Sequence, residues 1–190
     1  MTNPYAEFLQ RDDCLMLCID IQAVLLEPCD EAARLQRNAA ALLDIAEILE
    51  IPVIFTVHNA EKLGGVLPDL VGKVAQPRIL NKLEFSCFEN EEIAGAIMAS
   101  GRRTLIIVGL ETHVCIFHTA AHGLKLGCSV HVAADAVASR SRFNWEIGLK
   151  RLERAGAVIS STEMVIFELL NRAGTPEFRR ALPLLKTLGS

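Results

Sequence analysis

Two kinds of segment alternate along the chain. Short, mostly continuous apolar runs rich in β-branched residues give way to longer stretches whose apolar positions recur every three or four residues. The first pattern has no polar face, as expected of a strand covered on both sides, and the second is that of an amphipathic helix. Strands are predicted over Leu15 to Asp20, Val53 to His58, Arg78 to Lys82, Thr104 to Gly109, Ser129 to Ala134 and Ala157 to Ser160. Helical stripes run through Leu35, Ala39, Leu42, Leu43, Ala46 and Leu49, through Ile93, Ala96 and Ile97, through Phe117, Ala120, Ala121 and Leu124, and through Trp145, Leu149 and Leu152. Strands alternating with helices predict an α/β fold on a mainly parallel sheet.

Local punctuation agrees with these boundaries. Pro52 precedes a strand, Gly127 and Gly156 stand where helices end, and Thr162 reads as the N-cap of a helix carrying Val165, Ile166 and Leu169. Residues 59–77, with Gly64, Gly65, Pro68, Gly72 and Pro77, make a longer connection than usual and read as the wall of a pocket or interface. The tail after Pro176 reads as a peripheral helix. No repeat, linker or charge block divides the chain, so a single domain over residues 1–190 is expected.

Composition narrows the function classes. With 190 residues, 51% of them hydrophobic and 22% charged, the chain is too apolar for disorder and long enough for a sizeable core. The longest run free of acidic and basic residues, Thr112 to Leu124, falls short of the roughly 18 residues a membrane span needs. The start, MTNPYAEFLQRDDC, has no leader pattern, so a cytoplasmic protein is expected, without a membrane partner. The 19 basic residues are scattered and outnumbered by 23 acidic ones, for a net charge of −4, which points away from nucleic acid and toward a small-molecule substrate. Cys14, Cys18, Cys29, Cys87, Cys115 and Cys128 contain no C-x-x-C pair and read as free, mostly buried thiols.

In an open parallel sheet ligands collect beyond the carboxyl ends of the strands. Those ends carry Asp20 and Gln22, then His58, then Lys82, then Glu111, His113 and Cys115. Cys115 follows the turn GLETH, with Thr112 as candidate N-cap, and so falls in the first turn of a helix. Unpaired N–H groups and the helix dipole there stabilise both a thiolate and an oxyanion. Each residue also has an ordinary reading: Cys115 as a small buried hydrophobe, Asp20 as a turn cap, Lys82 as a solvated charge. Together they form a set in which an ammonium favours the thiolate and a carboxylate takes the thiol proton. Cys115, His118 and His122 share one helical face, but no glutamate accompanies them as in a zinc hydrolase helix, and a subunit or surface contact is the simpler reading. Phe85, Phe88 and Trp145 are core candidates, with Phe85 near enough to Lys82 to wall a pocket.

These residues resemble the isochorismatase-like cysteine hydrolase superfamily, which includes nicotinamidases and N-carbamoylsarcosine amidase. Asp20 in IDIQ looks like its first-strand aspartate, Lys82 in NKLEFSCF like its lysine, and Cys115 in VGLETHVCI like its nucleophile. The later stretch from HVAADAVASRSR to AGAVISSTE is similar to the family's closing region, so the likeness runs from about Leu15 to Leu170. The resemblance implies a three-layer α/β/α fold with a six-stranded parallel sheet. It implies a thioester on Cys115, with Asp20 as proton acceptor and Lys82 holding the thiolate, and no cofactor. It further implies a cis Leu110–Glu111 peptide that turns the Glu111 and Cys115 N–H groups toward the oxyanion, and a homo-oligomer. Gln22, His58, Phe85, Leu110 and His113 are the substrate-pocket candidates. Nicotinamidases carry a metal on an Asp-x-His pair and a further His near the second strand's exit. Here FTVHNAEKLGG offers His58 alone, so no metal is expected. The alternatives are a thiol redox protein and a non-catalytic small-molecule-binding relative. A nucleotide site is disfavoured, because IQAVLLEP rather than a glycine-rich turn follows the first strand.

Overall fold

The computed structural model describes residues 8–188. Strands β1 (Cys14–Ile19), β2 (Val53–His58), β3 (Arg78–Lys82), β4 (Thr104–Leu110), β5 (Ser129–Ala138) and β6 (Val158–Ser160) form one sheet in the order β3-β2-β1-β4-β5-β6. Every pairing in it is parallel. The helices are α1 (Ala23–Leu26), α2 (Ala32–Leu49), α3 (Ala60–Leu63), α4 (Pro68–Val71), α5 (Glu91–Ala99), α6 (Phe117–Lys125), α7 (Arg142–Ala155), α8 (Thr162–Leu170) and α9 (Pro176–Leu188).

Side chains alternate across each strand, so the continuous apolar runs feed two cores. Cys14, Met16 and Cys18 of β1, with Phe55, Val57, Ile106 and Val108, pack under α2, α8 and α9. Leu15, Leu17 and Ile19, with Leu105, Ile107, Val130 and Val132, pack under α5, α6 and α7. This is the three-layer α/β/α arrangement the sequence leads one to expect. None of the described helices is long and apolar enough to cross a membrane.

Strands β1, β4 and β6 shift by one residue at one end or both, and two larger differences from expectation fall at β5 and at the start of α8. β5 runs on past Ala134 to Ala138 because Asp135 does not end it: its carboxylate receives the Thr162 N–H (2.7 Å) and hydroxyl (2.9 Å), and its carbonyl receives the Asn38 amide (3.0 Å). Thr162 is therefore committed to β5, and Ser161 caps α8 by accepting the Met164 N–H at 3.2 Å. Residues 59–77 are ordered by α3, α4, buried Leu70 and a Gln22–Val66 bridge.

Candidate active site

Strand order reverses between β1 and β4, and the crevice beyond their carboxyl ends is where such sheets bind ligands. Asp20, the residue after β1, has a φ of 54°, in the left-handed region, and its carbonyl accepts the Gln22 N–H at 2.8 Å. Residues other than glycine in that region are uncommon and concentrate at functional sites. Gly109 of β4, at φ 120°, lies against this turn, and a Cβ built on it would stand 2.0 Å from the Ile19 carbonyl oxygen. Only glycine lets the two strand ends approach so closely.

Beyond β4 the chain makes a π-helical turn, Thr112–Ile116, that runs into α6. The Glu111 carbonyl accepts the N–H groups of Val114 (2.9 Å) and Ile116 (3.3 Å), bracketing Cys115. Two expectations are corrected here. The Thr112 hydroxyl donates to the Ala138 carbonyl (3.0 Å) instead of capping the helix. All peptide bonds among the described residues are trans, Leu110–Glu111 included: Glu111 keeps an extended backbone (φ −86°, ψ 144°), and the wide π-turn makes the bend.

The structure brings Asp20, Lys82 and Cys115 together. Asp20 is fully buried, Lys82 is 1% exposed and Cys115 is 7% exposed. Lys82 stands at the end of β3, two strands from β1, and its long side chain reaches across β2 to place Nζ 2.5 Å from Asp20 Oδ2. Asp20 Oδ1 accepts the Thr56 hydroxyl at 2.7 Å. Thr56 was not singled out from the sequence, although a polar residue inside the apolar run VIFTVH is the signal that could have found it.

Burial works to lower the Lys82 pKa, but the Asp20 carboxylate prevails and holds it above the usual lysine value, so the side chain remains an ammonium. The Cys115 thiol is pushed up to about 12, first by burial and then by Asp20, with Lys82 pulling the other way. This corrects the expectation of a resting thiolate. Burial thus favours the protonated sulfur, which lies beside the Asp20 carboxylate.

The remaining candidates divide. The Gln22 amide is spent on backbone: it donates to the carbonyls of His58 (3.1 Å) and Gly64 (2.7 Å) and accepts the His58 N–H (2.7 Å). It therefore braces the loop after β2 and is not free for a substrate. Leu110 is fully buried in the core under α2 and α8. His113 is tied through Nδ1 to Ser139 Oγ at 3.0 Å. Glu111 is held by Arg140, which donates from its backbone N–H (2.9 Å) and from Nε (3.1 and 3.2 Å).

His58 and Phe85 stay at the site. Phe85 is 51% exposed and stacks between His58 and His118, with ring centroids 5.8 Å apart on each side. It is a wall and not a core residue. Burial and the nearby Lys82 lower the His58 pKa, favouring the neutral ring. Its Nδ1 is buried without a hydrogen-bond partner among the described residues. Asp20, His58 and Cys115 each bring a ligand atom within 4.8 Å of the other two, a spacing at which they could hold a metal, and no second such group of three occurs among the described residues. The helical set of Cys115, His118 and His122 is otherwise engaged: His118 bonds the Val114 carbonyl (2.9 Å) and His122 bonds Ser86 Oγ (3.2 Å). A cavity of about 470 Å³ opens elsewhere, lined by Leu9, Asp13, Leu49 and Glu168, and does not touch Asp20, Lys82 or Cys115.

The Isochorismatase domain family matches residues 14–164. The chain is 33% identical over 174 residues to isochorismatase domain-containing protein 2B of Mus musculus, covering 90% of this chain and 80% of that one. Among solved structures, the MAR1 ribonuclease of Caenorhabditis elegans superposes with a TM-score of 0.89 at 28% identity, covering 95% of this chain and 93% of the other. YcaC from Pseudomonas aeruginosa, solved with hexane-2,5-diol and covalent acrylamide, gives 0.86 at 25% identity, covering 97% and 98%. The Escherichia coli YcaC gene product, described as an octameric hydrolase of unknown specificity, gives 0.85 at 25% identity, covering 98% and 100%.

Proposed function

Because this chain belongs to the isochorismatase domain family, we propose that it is a cysteine hydrolase of amidase type, cleaving the C–N bond of a small carboxamide through a thioester on Cys115. The observation that carries this reading is the fully buried Asp20–Lys82 ion pair beside the Cys115 sulfur. Burying two charges is costly, and replacing such a pair with apolar residues is often neutral or stabilising. Packing alone gives no reason for it, whereas a reaction that needs a proton acceptor and a fixed cation beside a thiol does.

In the first half-reaction the Cys115 thiol gives its proton to Asp20 as sulfur attacks the carbonyl carbon. Lys82 offsets the negative charge that passes between sulfur and carboxylate. With Leu110–Glu111 trans, the Glu111 N–H is not turned toward the site, so the oxyanion is received by the backbone N–H of Cys115, a donor of a kind worth about 2.7 to 4 kcal/mol. Asp20 then passes the proton to the leaving nitrogen, the C–N bond breaks and a thioester remains. In the second half Asp20 takes a proton from water, hydroxide adds to the thioester, the C–S bond breaks, and the proton returns to sulfur.

Asp20 and Lys82 neutralise one another, and Phe85 and His58 present flat faces, which suits a small, uncharged substrate. The net charge of −4 and the nearly closed site argue against RNA, so the ribonuclease name stays with the nematode protein. The buried thiol with its raised pKa also weighs against a redox role. A homo-oligomer is the proposed assembly, supported by the octameric E. coli neighbour and by exposed apolar residues such as Leu83 (64%) and Phe143 (71%).

The test is a carboxamide panel with ammonia release and intact-protein mass spectrometry as readouts. The expected result is an acyl adduct on Cys115 and turnover that falls at least about a thousandfold in Cys115→Ser. Unchanged turnover in that variant would overturn the reading.

A further inference from the structure

We infer that Asp20, His58 and Cys115 form a binding site for a thiophilic divalent cation such as Zn²⁺, and that occupancy of this site masks the nucleophile. The three residues leave from the ends of β1 and β2 and from the turn after β4. One ligand atom from each lies within 4.8 Å of the other two. Around a tetrahedral zinc with bonds of about 2.0 to 2.3 Å, neighbouring ligand atoms stand roughly 3.3 to 3.8 Å apart. Closing the group onto an ion therefore takes side-chain rotations and no movement of the sheet.

The donor set selects the ion. A thiolate, an imidazole and one carboxylate suit zinc and its soft neighbours, whereas magnesium and calcium require oxygen ligands. A second observation, independent of the clustering, is the His58 ring: its Nδ1 is buried and unpartnered among the described residues, while the ring is held by the stack on Phe85 and the backbone by Gln22. A buried polar atom held without a partner is costly unless something binds it or its ring.

Asp20 is already occupied by the Lys82 ammonium on Oδ2 and the Thr56 hydroxyl on Oδ1. Each carboxylate oxygen has a second lone pair, so a cation can share the carboxylate, but it does so against the charge of Lys82. Affinity is consequently set by competition between the dication and the ammonium. Binding forms a sulfur–metal bond, breaks the sulfur–hydrogen bond and releases that proton to solvent, with no change of oxidation state. Three protein ligands leave the fourth tetrahedral position to water.

Titrating the chelator-treated full chain with Co²⁺ alone tests this without reference to turnover, so its outcome is separate from that of the hydrolase reading. The expected result is one Co²⁺ per chain with a thiolate-to-cobalt charge-transfer band, displaced by Zn²⁺. The band is expected to vanish in Cys115→Ser, and affinity to drop about tenfold or more in His58→Gln. Lys82→Met, with the competing charge removed, should gain more thermal stability from Zn²⁺ than the wild type does. Absence of the band, its persistence in Cys115→Ser, or unchanged affinity in His58→Gln would each overturn the assignment.

Discussion

At the scale of single residues, the decisive feature is a charge pair with no access to water. Removing one partner leaves the other buried and uncompensated, so Lys82→Met is expected to cost about 3–5 kcal/mol, read as a fall in the denaturant midpoint. The double variant Asp20→Asn, Lys82→Met should recover much of that loss while remaining inactive, which separates stability from chemistry. A second buried group sits in β5. His131 is 4% exposed, its Nδ1 has no partner among the described residues, and burial lowers its pKa to about 4. The folded state therefore holds the neutral ring, and the unfolded chain binds a proton first. Stability from this residue is fully present above pH 6.5 and is lost as pH falls toward 4, by an amount on the order of 3 kcal/mol. Chemical denaturation at pH 7.5 and pH 4.5 should show that loss, and His131→Leu should flatten it. Asp20, Lys82 and Cys115 were legible in the sequence because each is a reactive group at a strand end. The resting protonation of Cys115 was not, since it depends on how much water the fold removes from around the sulfur.

At the scale of elements, the site is shaped by two close approaches of backbone. β4 passes β1 at Gly109, where an added Cβ would meet the Ile19 carbonyl oxygen at 2.0 Å. Gly109→Ala is expected to destabilise by at least about 3 kcal/mol, because the obstruction is backbone and the φ of 120° is itself strained for alanine. α7 presses on the Thr112–Ile116 turn at Gly148, where a Cβ would lie 3.0 Å from Thr112 Cγ2 and 3.2 Å from the His113 nitrogen. Gly148→Ala should cost less, about 1–2 kcal/mol. It should nonetheless lower kcat more than it raises KM, because it displaces the turn that carries Cys115. Circular dichroism melts paired with kinetics separate the two variants. Strand and helix locations were readable from apolar periodicity. The length of β5 was not, because the polar Asp135 finds its partner Thr162 in an element that follows much later in the chain.

For the whole molecule, the buried thiols set an alkaline limit. Burial pushes Cys14 and Cys115 up to about 12 and Cys29 and Cys87 up to about 11, and it raises fully buried Cys18 as well. The fold prefers the protonated form of each, so their contribution is intact below the ordinary thiol value of 9.0 and is lost as pH climbs through 11 to 12. Denaturation midpoints at pH 8 and pH 10.5 should fall accordingly, and Cys18→Ala should shrink the difference at the expense of overall stability. The amino-acid sequence by itself determined the βα alternation, the two apolar faces of each inner strand and the three reactive groups at strand ends, because these follow from local periodicity and residue type. Only the tertiary structure decided that Lys82 reaches across β2 to Asp20, that Gln22 is spent on backbone, and that His58 keeps a ring nitrogen unsatisfied. Those outcomes depend on distances between segments far apart in the chain, which are settled when the sheet closes and water leaves the crevice.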